Sequence, residues 1–138
     1  MSRNIRQEIE DHLARARLER RVQRLLDLWL PRLGVQLQEF HIKKMRAWGS
    51  TNPQARRLWI SLKLSNMSDA ALEYVIVHEL AHLALKQKPQ GSGHDAAFYT
   101  LLDRVLPTWK RRHAALYSEG VVAKDLPGLS RSSEASSR

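Results

Sequence analysis

The segment Val75-Ile76-Val77-His78-Glu79-Leu80-Ala81-His82-Leu83 constrains this chain more than any other: it is an apolar run that holds two imidazoles and a carboxyl. Apolar runs bury, and polar groups carried inside with them are costly unless something satisfies them. Ser68-Asp69 can cap a helix from about 69 to 87. The stretch Lys86-Gln87-Lys88-Pro89-Gln90-Gly91-Ser92-Gly93 would end it, with positive charge in the last turn and Pro and Gly beyond. On that helix His78 and His82 are four residues apart and lie about 40° from one another around the axis. Both imidazoles can therefore reach one metal ion. Glu79 sits beside the ion without ligating it, where it can take a proton from an activated water and later return it.

Two ligands do not complete a catalytic zinc site, which usually takes three from the protein. The chain has no cysteine, so disulfides and thiolate-bound metals are excluded and the third ligand must be His, Asp or Glu. His94 lies 12 residues after His82, past the Gly-Ser-Gly turn and at the start of another helical stretch. No Glu occurs between Glu79 and Glu119, so the competing carboxylates are Asp95 and Asp103. His94 is the better candidate, which gives zinc as the cofactor on His78, His82 and His94. Asp95 or Asp103 could instead orient a ligand imidazole.

Around this core the chain reads as one α+β domain of 138 residues. Residues 3–30 carry Ile5, Ile9, Leu13, Val22, Leu25, Leu26, Trp29 and Leu30 at three- and four-residue steps, an amphipathic helix that Pro31 and Gly34 should end. Val35, Leu37 and Ile42 alternate with polar residues as a strand would. Residues 48–53 read as a loop, and Leu58–Leu64 alternates as a second strand. The two strands would most simply pair antiparallel. Asp95–Leu106 reads as a helix, and Pro107 should open another reaching about Tyr117. The expected organisation is residues 1–34 as an N-terminal helix of the same domain, 35–118 as the domain body, and 119–138 as a disordered Ser/Arg-rich tail.

The net charge is +9, from 23 basic and 14 acidic residues, and only residues 67–95 are net acidic. The metal segment is thus set in a basic surround, which favours anionic partners such as nucleic acid or nucleotides. A solvated surface explains the charge as well. No apolar run approaches the ~20 residues of a membrane span, and Met1–Arg6 lacks a signal-peptide core, so a cytoplasmic location without membrane attachment is expected.

Four features together resemble a known family. They are Met45-Arg46-Ala47-Trp48-Gly49-Ser50, then Leu64–Ser68 with Leu72–Leu83, then His94 with Phe98-Tyr99, and finally Leu106-Pro107-Thr108-Trp109-Lys110 with Arg112 and Leu116. Over about residues 30 to 117 the chain is similar to the YgjP-like metallopeptidase domain, a small zincin related to SprT-like proteins. It differs at Thr51, where the family often has Cys, and the His82–His94 spacing is closer to SprT-like proteins. The resemblance implies a zincin-like α+β fold with an N-terminal helix, a small antiparallel sheet, the metal helix and C-terminal helices. It implies zinc on His78, His82 and His94, and Glu79 as general base in peptide hydrolysis.

Trp48, Gly49 and Ser50 could rim a substrate cleft, where a peptide adds to the sheet edge as a further strand. Tyr74, four residues before His78, shares its face and could hydrogen-bond near the site. Phe98, Tyr99, Leu102, Leu106 and Trp109 read as core, and His12, His41 and His113 as surface or supporting groups. A zinc metallopeptidase is the leading expectation. Hydrolysis of a nucleotide or other phosphorylated substrate, and a nucleic-acid-associated zinc protein, are the alternatives.

Overall fold

Three- and four-residue apolar spacing makes α1 a helix, but it does not say which of its sides goes inside. In the computed structural model, which describes residues 2–85 and 94–123 with side chains over 4–85 and 94–119, α1 spans Ser2–Leu33. Leu18, Val22, Leu26 and Trp29 are buried in the core. Ile5, Ile9 and Leu13 are not, at 59%, 55% and 50% exposure. Leu18 follows Ile9 by nine residues, two and a half turns, so the two residues point to opposite sides. The expectation of one continuous apolar face therefore fails: the stripe of the first turns is turned to solvent. Pro31 does not end the helix either. It lies in the last turn, and the chain leaves at Gly34, whose φ of 66° fits the left-handed position of a Schellman cap. Gly34 N donates to Pro31 O and Val35 N to Leu30 O.

The sheet has the order β1-β3-β2, with β1 at Glu39–Lys43, β2 at Gly49–Asn52 and β3 at Arg57–Ser61. Two expectations are corrected here. Residues 49–52 are a strand, paired antiparallel with β3 from Gly49↔Ile60 to Asn52↔Arg57. They escape a pattern search because Gly-Ser-Thr-Asn has no apolar residue to alternate. The turn between them is closed by Asn52 Oδ1, which accepts from Ala55 N at 3.0 Å, and by Arg56 at φ 56°. Because this hairpin reverses the chain once more, β1 pairs with β3 in parallel, not antiparallel, and the sheet is mixed.

A 3-10 helix, Leu62–Asn66, leads from β3 to α2 at Asp69–Ala84. Ser68 caps α2 by accepting from Ala71 N. Helix α3, Ala96–Val105, is capped by Asp95, and α4 runs Trp109–Ala123, past the expected end at Tyr117. Helix α2 is the hub. Its Ala71, Leu72, Val75, Ile76, Val77, Leu80 and Ala81 are buried, and α1, β2, α3 and α4 all pack on it. Each large aliphatic side chain buried this way contributes roughly 1.5–3 kcal/mol.

Polar contacts fix how these helices sit. Glu73 on α2 accepts from Trp29 Nε1 of α1 at 2.7 Å and from the Arg112 guanidinium of α4 at 2.9 Å. Arg21 of α1 donates to the carbonyls of Ser65 and Met67 and pairs with Asp69. Glu119 of α4 accepts from both the backbone and the hydroxyl of Ser68. Among the described residues no helix is long and apolar enough to cross a membrane. The expected loop at 86–93 and the tail beyond 123 lie outside the described residues.

Candidate metal centre

Helix α2 is apolar on nearly every side, so its surroundings hold it rigidly, and the imidazoles of His78 and His82 inherit that rigidity. His94 comes from just before α3, where the Asp95 cap accepts from Phe98 N at 3.0 Å and sets the start of the helix. The result is one cluster: ligand-capable atoms of His78, His82 and His94 all lie within 4.8 Å of one another. His78 Nε2 and His94 Nε2 face each other at 3.1 Å. Zn–N bonds of about 2.0–2.1 Å in tetrahedral geometry put ligand nitrogens about 3.3 Å apart, so this donor set fits zinc. Zinc is the cofactor that this cluster suits.

The ring of Phe98, taken from sequence as core, is the floor of the cluster. It is fully buried, with centroids 4.9, 4.6 and 4.9 Å from His78, His82 and His94. It holds the three imidazoles from below and keeps water from that side. Tyr74 acts on the remaining nitrogen of His78: its hydroxyl lies 3.2 Å from Nδ1. With a metal on Nε2, Nδ1 would carry the proton and donate to the Tyr74 oxygen, which would hold the ring orientation.

Glu79 lines the same cavity as His78 and His94, and its side chain lies against β2. A Cβ placed on Gly49 would come within 3.2 Å of Glu79 Cγ, of Val75 Cγ1 and of the Trp59 carbonyl oxygen. Glycine is therefore what allows β2 to run directly over Glu79. Burial raises the Glu79 pKa from 4.5 to about 8 in the metal-free chain, because the charged form is desolvated. A dication beside it acts in the opposite sense.

A cavity of about 470 Å³ opens over His78, Glu79 and His94. Of the residues read from sequence as cleft candidates, Trp48 and Tyr74 line it, Gly49 lies against Glu79, and Ser50 is not among the lining residues. Trp48 is braced by Lys63, whose Nζ sits 4.5 Å over its ring, and its own buried indole nitrogen has no hydrogen-bond partner among the described residues. The opposite wall comes from Tyr99 and from α4, whose Trp109, Lys110, His113 and Tyr117 also line the cavity. His113 packs edge-on against Tyr74 at 5.5 Å and Tyr117 at 4.8 Å. The sequence offered no sign of His113 or Tyr117 as cleft residues; their four-residue spacing on α4 is the only trace. Asp103 accepts from Trp109 Nε1 at 2.8 Å and so steadies that wall, while Asp95 caps α3. His41 stands apart, 3.4 Å from Glu39 on β1, and His12 is exposed on α1.

Comparison with known proteins gives the chain's family and fold. The family described as "YgjP-like, metallopeptidase domain" matches residues 2–119. Among solved structures, the metallopeptidase zymogen abylysin of Pyrococcus abyssi is similar with a TM-score of 0.62 and 20% identity, covering 71% of this chain and 93% of that one. The metallopeptidase zymogen jannalysin of Methanocaldococcus jannaschii is similar with a TM-score of 0.61 and 18% identity, covering 71% and 88%. At those identities the likeness is one of fold. A search of curated proteins found no match.

Proposed function

Because the chain belongs to the YgjP-like metallopeptidase family, we propose that it cleaves peptide bonds with zinc held by His78, His82 and His94 and with Glu79 as general base. The observation that carries this reading is a cluster of three imidazoles, two of which, His78 and His94, line one cavity together with the desolvated Glu79 carboxyl. When bound, zinc supplies Lewis-acid chemistry: it polarises the scissile carbonyl and acidifies a water.

The chain's own residues do the rest. Glu79 removes the proton of the attacking water at its carboxylate and delivers it to the leaving nitrogen. Its desolvated setting suits both halves of that cycle, since a pKa near the working pH serves an acid as well as a base. Tyr74 holds the His78 ring so that Nε2 keeps its direction. Among the described residues strand β2 has β3 on one side only, so its outer edge can take an extended peptide as a further strand beside Glu79. The rings of Trp48, Tyr99, Trp109 and Tyr117 give the cavity aromatic walls that suit an apolar side chain next to the cleaved bond.

The test is a Glu79→Gln variant assayed on a panel of fluorogenic peptides and on nucleoside triphosphates. Peptide hydrolysis should fall by roughly 10²–10⁴-fold with zinc content unchanged. Undiminished hydrolysis in the variant, or turnover of triphosphates and not peptides, would falsify the assignment.

A further inference from the structure

The apolar stripe on the first turns of α1 has no role in the site described above. Ile5, Ile9 and Leu13, at i, i+4 and i+8, are the most exposed large hydrophobic residues among those described. The other side of the same segment is docked. Arg15 donates to the Ile42 carbonyl of β1, and Asp11 pairs with Lys44 at 3.0 Å. The segment is therefore held in place with its apolar side outward, where exposed aliphatic side chains in a row mark a contact surface.

The charges beside the stripe say what fits it. Arg6 and Glu10 flank it on one edge, and Glu8 and His12 on the other; all four are exposed, and among the described residues none is in an ion pair. Each edge thus carries one basic or protonatable group and one acid, one turn apart. Such an edge is complementary to itself when the helix is turned end for end. With Ile9 on a two-fold axis, Arg6 of one copy faces Glu10 of the other and Glu8 faces His12, while Ile5 lies against Leu13. A stripe at four-residue spacing packs on its twin by interlocking i±4 ridges, a crossing of about −50° that brings two or three turns into contact. An isologous contact requires this kind of self-match.

We propose that the first turns of α1 form a two-fold interface with a second copy of this chain, antiparallel and centred on Ile9. The surface lies on the side of α1 opposite the one that packs on α2, so pairing leaves the metal cleft open.

Sedimentation velocity on the full zinc-loaded chain tests this. The wild type should shift from monomer to dimer as concentration rises toward ~100 µM, a range in which small interfaces associate. Ile9→Lys places two like charges across the axis and should leave a monomer with an unchanged far-ultraviolet dichroism spectrum. Arg6→Glu should weaken the dimer at least ~10-fold, and adding Glu10→Arg to it should restore most of that loss, because the swapped charges pair again. A wild type that stays monomeric, or a dimer that Ile9→Lys leaves intact, overturns the proposal. So does a monomer that binds vesicles of anionic phospholipid through this stripe, since a lipid surface would then be the occupant.

Discussion

Helix α2 and the first turns of α1 both depart from simple patterning, in opposite senses. In α2 an apolar helix carries His78, Glu79 and His82; in α1 a charged helix carries Ile5, Ile9 and Leu13 outward. The polar intruders of α2 are surrounded by their partners within the same chain: each other, His94, Tyr74 and the cavity. The apolar intruders of α1 have no cover within the described residues. Groups that look misplaced mark function in both cases. In α2 the satisfying chemistry lies inside the domain, and for α1 we propose that a second copy of the chain supplies it.

That contrast can be broken by substitution. The largest effect belongs to the ligands: His82→Ala should lose stoichiometric zinc and with it peptide hydrolysis, as measured by metal analysis and the peptide assay. A protein that keeps one zinc per chain after this change would remove α2 from the comparison. Next come core deletions. Leu80→Ala or Leu18→Ala should cost roughly 2–5 kcal/mol by denaturant unfolding, whereas Leu13→Ala should stay within about 0.5 kcal/mol at concentrations where the chain is monomeric. Similar costs at Leu13 and Leu18 would show that both sides of α1 are buried.

Gly49→Ala is a smaller perturbation with a sharper readout. The added methyl meets a backbone oxygen and Glu79 at 3.2 Å, so β2 must shift. A stability loss of about 1–3 kcal/mol is expected, with a fall in turnover and zinc retained. If turnover is untouched, β2 does not constrain Glu79.

The last prediction concerns pH. Unfolded, Glu79 ionises near 4.5, and in the folded metal-free protein near 8. Between those values the folded chain keeps a proton that the unfolded chain gives up. The contribution of Glu79 to stability is therefore fully present below about 4.5 and is lost as pH rises toward 8. Metal-free wild type should lose stability relative to metal-free Glu79→Gln between pH 5 and pH 8, and added zinc should shrink that trend. A gap between the two proteins that is constant with pH would mean that Glu79 is not desolvated.

Much of the site was legible because it is local. Two histidines four apart on a helix share a face whatever surrounds them, and the absence of cysteine narrowed the third donor before any fold was known. Strand β2 was not legible, since Gly49–Asn52 carries no apolar alternation and becomes a strand only through its pairing with β3. The parallel pairing of β1 and β3 followed from that missed strand. His113 read as a surface or supporting group and Tyr117 only as the end of α4, and they line the cleft because Arg112 and Glu119 tie α4 to α2.

By itself, the sequence determined where the helices lie, the Ser68 cap of α2 and the shared face of His78 and His82, because side-chain spacing at 3.6 residues per turn is a property of the local backbone. Only the tertiary structure decided which side of α1 is buried, that β2 runs over Glu79, and that α4 walls the cavity. These depend on which distant segments meet, and no residue's nearest neighbours in sequence carry that information.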